Sequence, residues 1–195
     1  MKLLHLDRPE PDLVRRYILR FENEPGYSIT DRALIKLFDL FPLNRNLDEV
    51  LLKVSSLNSL YNTNIYAVFE VARHIVDLDI DQRLVAGSTD LVDEIANVNI
   101  SGKKRRNYSF ATKYCSWHAP DDYPIYDTFV EQLIWAYQKQ DSFADFNRID
   151  LKDYSSFKEL VKEFRRYYSL VAFSFKELDK FLWLYGRQIY SASKG

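Results

Sequence analysis

The residues best suited to chemistry lie in one stretch, residues 101–130, which reads SGKKRRNYSFATKYCSWHAPDDYPIYDTFV. It contains a lysine among aromatic residues, Lys113, and an aspartate that follows a proline-containing turn, Asp127. A lysine amine that burial deprives of water has a lowered pKa and becomes a nucleophile. A carboxylate held in a dry pocket stabilises positive charge that develops in a transition state. Together these two groups are suited to reaction at an electrophilic carbon.

The same stretch carries a run of positive charge. Four consecutive cations follow Gly102, namely Lys103, Lys104, Arg105 and Arg106. Cations of this kind neutralise phosphate groups and make binding strongly dependent on salt. Such a run is also typical of an exposed, solvated surface. Both interpretations stay open.

Four aromatic residues accompany these charges: Tyr114, Trp117, Tyr123 and Tyr126. Aromatic rings are stacking surfaces for nucleic-acid bases, and they are equally the side chains that dominate packed cores. The sequence leaves these two roles open. We interpret His118 as a core histidine, since His5 and His74 do not cluster with it in sequence. The sequence therefore predicts no metal site and no cofactor.

Helices must position these residues. Gly102 opens a loop that carries the four cations, and a helix is expected to begin near Tyr108. Lys113 is expected on the flank of its buried face, which is predicted to use Phe110, Ala111, Tyr114, Cys115 and His118. After the proline-containing turn, Thr128 and Glu131 are expected to cap the next helix.

The rest of the chain also shows helical patterning. Apolar residues recur at spacings of three and four, and no sustained alternation suggests a substantial sheet. Capping side chains precede carboxylates by three residues in the pairs Asn46 with Glu49, Ser156 with Glu159, and Ser174 with Glu177. The sequence predicts an all-α fold of about nine helices. We expect one domain over residues 1–195, with a loop at 138–155 and a C-terminal helix pair at 156–195.

Composition limits the function classes. The 15% aromatic content and 5 glycines indicate a folded core rather than disorder. A single cysteine, Cys115, excludes an internal disulfide, a four-cysteine zinc site and a cysteine-bound iron–sulfur cluster. The net charge of −1 gives no global attraction to nucleic acid, so any such site must be local. With no signal peptide and no apolar run near the roughly 20 residues of a membrane span, we expect a cytoplasmic protein without a membrane partner.

The order of these features resembles the helix-hairpin-helix DNA glycosylase superfamily, most closely its oxoguanine-glycosylase-like branch. The shared features are a basic loop, a helix with an early lysine, a turn containing proline, and an aspartate before the next helix. Upstream, LNSLYNTNIYAVF at residues 57–69 is similar to the superfamily's polar turn beside the DNA. The resemblance spans residues 47–137, and the glycines of the family's hairpin are absent.

The resemblance implies excision of a modified or damaged base. Asp127 would stabilise positive charge on the sugar, and Lys113 would attack the same carbon to form a Schiff base, with or without strand cleavage. The DNA would contact Asn62, Thr63 and the four cations, and the aromatic residues would stack on a flipped base.

Three alternatives remain open from the sequence. The chain is a glycosylase, a noncatalytic module that binds nucleic acid or protein, or a DNA-binding protein that excises no base. In the two noncatalytic cases, Lys113 is an ordinary helix lysine and Asp127 simply favours the positive end of a helix.

Overall fold

The computed structural model describes residues 5–191, and helix dominates this part of the chain. Ten α-helices lie within it, so the predicted all-α fold class is confirmed. Their bounds are α1 Pro11–Asn23, α2 Pro25–Leu40, α3 Leu47–Tyr61, α4 Val68–Asp77, α5 Asp81–Val85, α6 Asp90–Ala96, α7 Tyr108–His118, α8 Thr128–Asp141, α9 Tyr154–Tyr167 and α10 Phe175–Ser191. Among residues 5–191, no helix combines the length and the apolar character needed to span a bilayer.

The chain divides into two compact units. The central unit is Pro25–Ile125, and the terminal unit comprises the residues up to Glu24 together with those from Tyr126 onward. The boundary at Tyr126 falls inside residues 47–137, over which the glycosylase resemblance extends. Each unit has its own buried residues.

The core of the terminal unit is built on α10, which packs against both α1 and α8. The ring of Phe181 stacks on that of Tyr185 with centroids 5.5 Å apart, and Tyr17 meets both edge-on. Gly186 permits a close approach of α10 to α8, since a Cβ there would lie 3.0 Å from the carbonyl oxygen of Phe129. Aromatic packing therefore joins α1 to α10, and Gly186 lets α10 lie close against α8.

Residues 138–155, expected to be a loop, contain more regular structure than the sequence suggested. They include the last turn of α8, a 3-10 helix at Arg148–Lys152 and the first residues of α9. The 3-10 helix begins with a reciprocal cap, in which the backbone N–H of Asn147 donates to the Asp150 carboxylate at 2.8 Å. Polar side chains that bond to the backbone interrupt the apolar pattern in this segment, so no helical periodicity is visible there.

The central unit is organised around α7. This helix packs against α2, α3 and α6, and every residue from Phe110 to Trp117 is buried. The sequence predicted only one buried face. The polar residues on the other side are accommodated by local bonds, such as that from the Thr112 hydroxyl to the Ser109 carbonyl at 3.0 Å. The helix is thus the centre of its unit rather than a surface element.

Helix starts follow the predicted caps in two cases and shift in two others. Asn46 caps α3, and Ser174 and Glu177 form the reciprocal bonds of a capping box before α10. The prediction that Thr128 caps α8 is wrong, because the side chain of Asp127 accepts from the Phe129 N–H at 2.9 Å. Asp153, rather than Ser156, caps α9. In both cases an aspartate just upstream has the extended backbone that an N-cap requires.

A β-hairpin corrects the expectation that the four cations lie in a loop. The strand β1 (Asn97–Ile100) pairs antiparallel with β2 (Lys103–Arg106). Ser101 and Gly102 form the two-residue turn, with φ values of 51° and 78°. Positive φ at both central positions is the geometry of a tight hairpin turn. The strand escaped detection because four consecutive cations show no apolar alternation, and lysine is uncommon in strands.

Candidate nucleic-acid interface

A groove of about 500 Å³ in the central unit brings together two of the segments singled out from the sequence. One wall is formed by β2 and the residue after it, through Lys104, Arg105, Arg106 and Asn107, with Ile100 from β1. The opposite wall is the loop of residues 64–67, between α3 and α4. The cations and the polar turn are therefore neighbours in space.

The cations of β2 differ in what they contact. Arg106 pairs with Asp93 at 2.7 Å, and its guanidinium lies 4.2 Å from the centre of the Tyr108 ring. Lys103, Lys104 and Arg105 are exposed, and no carboxylate within residues 5–191 forms a salt bridge with them. Three positive charges thus stand uncompensated on one short strand.

The loop opposite β2 is fixed by an asparagine that the sequence reasoning missed. The side-chain oxygen of Asn58 accepts from the Ile65 N–H at 2.9 Å, and its amide donates to the Ile65 carbonyl at 2.8 Å. The same oxygen accepts from the Thr63 hydroxyl at 2.9 Å. Asn62 caps α3 in the left-handed conformation, with φ 50°. Neither Asn62 nor Thr63 lines the groove, but they position the loop that does.

Two further groove residues have side-chain groups without partners in the described part of the chain. Tyr66 is 98% exposed and forms no ring contact or hydrogen bond there. The amide nitrogen Nδ2 of Asn107 is buried and has no hydrogen-bond partner. A buried donor without a partner is costly in free energy and rare in native proteins. Sequence reasoning singled out neither residue.

Lys113 lies in the core of the central unit. Its side chain is only 3% exposed, and its ammonium Nζ donates to the Ser109 hydroxyl at 2.6 Å. The same nitrogen lies 5.4 Å from the centre of the Tyr61 ring. Lys113 does not line the groove. It is therefore a desolvated lysine, as a nucleophile requires, but it also has a local structural partner.

Asp127 lies in the terminal unit, on the other side of the boundary from Lys113. Its carboxylate is half-buried and caps α8, as described above. Asp127 therefore lies at the start of a helix, which was the structural alternative to a catalytic role.

Three of the four candidate stacking residues belong to the core of the central unit. Tyr114 and Tyr123 are 0% exposed and Trp117 is 9% exposed. The Tyr114 hydroxyl bonds to Asn44 at 2.5 Å, and the Trp117 indole N–H donates to Tyr61 at 3.2 Å. As placed, these rings lack an exposed face for a base.

The fourth candidate, Tyr126, is buried with Glu131 in an ionic cluster of the terminal unit whose two cations, Arg148 and Lys152, are exposed. Its hydroxyl bonds to both Glu131 and Lys152, and Lys152 also pairs with Glu131 at 2.7 Å. Arg148 completes the cluster, with its Nε 3.0 Å from the Glu131 carboxylate. Burial alone would raise the pKa of Glu131, but the bonds from Lys152, Tyr126 and Arg148 and the Lys152 charge hold it below its usual value.

A second buried lysine, Lys53 on α3, was not anticipated. It is 0% exposed and donates to the carbonyls of Phe41 and Leu43 at 3.0 and 2.9 Å, and to Asn44 Oδ1 at 2.7 Å. Burial lowers its pKa to about 8, against an opposing effect of the Asp81 charge. All three ammonium donors have oxygen partners. The spacing of Lys53 from Val50 and Leu57 on the apolar face was a signal that could have found it.

His118 closes this network. Its Nε2 lies 3.3 Å from the Lys53 ammonium, and its ring meets those of Phe38 and Tyr114. Burial, followed by the Lys53 charge, lowers its pKa to about 3, so it is neutral at physiological pH. Across the described residues, no group of three or more histidine, cysteine or acidic side chains could hold a metal ion.

Comparison with known proteins identifies relatives. Residues 13–122 match the family HI_0787_N, described as an N-terminal domain. An uncharacterized protein of Haemophilus influenzae is 46% identical over 149 residues, which cover 76% of this chain and 71% of the relative. No solved structure matches the chain. The matched region contains the groove and Lys113, whereas Asp127 lies beyond it.

Proposed function

The chain belongs to the HI_0787_N family, and for this member we propose that the groove between β2 and residues 64–67 binds nucleic acid. The observation that carries the proposal is the uncompensated charge of Lys103, Lys104 and Arg105 on a strand that borders the groove. Phosphate groups are the natural counterions for such a strand, and their contacts dominate nucleic-acid affinity.

The charge balance of the whole chain indicates that any nucleic-acid binding comes from a local group of cations. The net charge is −1, so a nonspecific attraction to polyanions is not expected from the protein as a whole. Binding that depends on a few cations at one place is local, and it can be removed by local substitutions. This locality supports a built site rather than a generally basic surface.

The test is a triple substitution, Lys103→Ala with Lys104→Ala and Arg105→Ala. Binding of a fluorescently labelled single-stranded oligonucleotide is followed by anisotropy over a range of salt concentrations. The slope of log affinity against log salt should become shallower by about 2, since each phosphate contact to a single strand contributes about 0.7. Affinity at low salt should fall accordingly.

A matched control removes three exposed cations elsewhere, through Arg16→Ala, Arg32→Ala and Lys36→Ala. Both variants have the same net charge, so a difference between them reports on position alone. The proposal is overturned if the wild-type protein binds no nucleic acid, or if the two triple variants have the same affinity and salt slope.

Base excision is the second candidate function. What favours it is a half-buried carboxylate, Asp127, at the helix start where the glycosylase resemblance expects it, whereas the burial of Lys113 in the core opposes it. In this proposal Asp127 stabilises positive charge that develops on the sugar. Lys113 first loses a proton, and its neutral amine attacks the anomeric carbon while the N-glycosidic bond breaks and the base leaves. Opening of the sugar ring then gives the Schiff base.

Borohydride trapping distinguishes excision from binding alone. With a panel of lesion-bearing duplexes, a covalent protein–DNA adduct should form in the wild type and be lost in Lys113→Ala. Ser109→Ala is the control, because it removes one hydrogen-bond partner of Lys113 and keeps the amine. Base release without trapping, retained by Lys113→Ala and lost in Asp127→Asn, would remove Lys113 from the mechanism. Absence of release across the panel would leave binding as the function.

A further inference from the structure

The exposure of Tyr66 is unusual in this molecule. Its side chain is 98% exposed, whereas Tyr108, Tyr114 and Tyr123 of the same unit are buried. An aromatic ring wholly in water contributes nothing to a core, and it is a ready surface for stacking. Tyr66 lines the groove directly, between Ile65 and Ala67.

The backbone beneath Tyr66 is held in place. The preceding residue, Ile65, is buried, and both its N–H and its carbonyl are bonded to the side chain of Asn58. Helix α4 begins two residues after Tyr66. The ring is therefore presented by a fixed loop, so little conformational freedom of the backbone would be lost on binding.

Asn107 contributes the other wall of the groove. Its backbone N–H donates to the Ala96 carbonyl at 2.8 Å and its carbonyl accepts from the Ala111 N–H at 3.0 Å, which fixes the residue between β2 and α7. Its side-chain Nδ2 is buried without a partner among the described residues. Rotation of this side chain toward the groove that Asn107 lines would let an oxygen of a bound phosphate or base satisfy the donor.

We propose that Tyr66 stacks on an unpaired base while Lys103, Lys104, Arg105 and Asn107 hold the adjoining backbone, so that the groove prefers single-stranded nucleic acid to a fully paired duplex. This inference rests on the proposed function and names the form of nucleic acid recognised. A paired base is already stacked on both faces, so only an unpaired one is available to the ring. Cations beside an aromatic platform are the combination by which single strands are bound without sequence preference.

The test compares Tyr66→Ala with Tyr66→Phe on a short oligothymidylate and on a blunt duplex of the same length. Tyr66→Ala should bind the single strand about tenfold more weakly than the wild type, within the range measured for loss of one base–aromatic stack. Tyr66→Phe should bind like the wild type, because the ring is kept. Duplex affinity and the salt slope should stay unchanged in both, since no charge is removed.

Two controls isolate stacking. Val85→Ala removes an apolar side chain that is 86% exposed in the same unit and does not line the groove, and it should leave binding unchanged. An oligomer of abasic deoxyribose phosphates should bind wild type and Tyr66→Ala equally, because it has no base to stack. Replacing Asn107 by Leu, which is similar in shape and removes the donor without adding charge, should weaken single-strand binding several-fold.

The outcomes separate this inference from the proposed function. If Tyr66→Ala binds the single strand like Val85→Ala, or loses duplex affinity equally, the stacking inference fails. If the triple variant of β2 still loses salt-dependent binding, nucleic-acid binding itself survives that failure. If the triple variant behaves like its matched control, the proposed function fails, and this inference fails with it.

Discussion

Two lysine-bearing regions of the central unit differ in whether their positive charges have partners within the protein. Lys53 is buried, and each N–H of its ammonium group donates a hydrogen bond to an oxygen of the protein. Lys103 and Lys104 on β2 are exposed and have no acidic partner among residues 5–191. A charge whose partners are internal stabilises the fold, and a charge left without partners is available to a ligand. The following predictions separate the two cases.

The largest expected effect is loss of stability in Lys53→Met. The substitution preserves much of the volume but leaves the carbonyls of Phe41 and Leu43 without their donor. We expect the free energy of unfolding to fall by about 3 kcal/mol, as is usual when one member of a buried polar network is removed. Urea denaturation measures this, with Lys36→Met, an exposed lysine of α2, as the control. An equal effect of the two variants would contradict the assignment of Lys53 to the fold.

The next effect is a dependence of stability on acid. The pKa of His118 falls from 6.5 to about 3 on folding, so below pH 6.5 the unfolded chain binds a proton that the folded chain does not. Stability therefore falls as the pH falls from 6.5 toward 3, by roughly 2 kcal/mol between pH 6.5 and about 4.5. His118→Gln should lack this component. Urea titrations of both proteins at several pH values check it, and parallel curves would exclude His118 as the source.

The triple variant of β2 should have a much smaller effect on stability. Lys103, Lys104 and Arg105 are exposed and unpaired within the described chain, so their replacement should change the free energy of unfolding by less than about 0.5 kcal/mol. Denaturation of the same preparation used for binding measures this. A stability loss comparable to that of Lys53→Met would mean that the strand serves the fold.

Asp127→Asn should have the smallest effect on stability. Asparagine caps helices about as well as aspartate, so α8 should keep its start and the thermal midpoint should hardly change. Asp127→Ala is the contrasting variant, with an expected loss of about 1 kcal/mol from the missing cap. If Asp127→Asn loses most of its base release while its stability is unchanged, the carboxylate acts in the reaction and the loss is not caused by unfolding.

The sequence predicted most of the helices and little of the groove. Helices such as α3 and α10 were found because buried residues recur along one face and caps mark the starts. The strand β2 was missed since its pairing with β1 is carried by backbone bonds and not by apolar side chains. Nothing in the sequence pattern singled out Tyr66. Whether such a ring points into the core or into water depends on tertiary packing, which local patterning does not determine.

Lys113 and the aromatic residues around it show a different limit. Helical spacing predicted one buried face for α7, and the structure surrounds the helix on every side. Burial of Lys113 and Ser116 follows from what α2, α3 and α6 place around them, which no local pattern contains. The position of α7 as the centre of its unit was therefore beyond sequence reasoning, although its bounds were close to those predicted.

The single residue between β2 and α7 has a consequence for amide hydrogen exchange. Asn107 joins the exposed strand directly to the buried helix and is bonded on both sides, to Ala96 and to Ala111. Local opening of the hairpin therefore loosens the first turn of α7, and a ligand that binds only the closed hairpin makes that opening rarer. Exchange at the amide of Ala111, a residue with no exposed surface, should slow on binding. Slower hydrogen exchange at a buried amide would then indicate that a ligand occupies the groove at the surface.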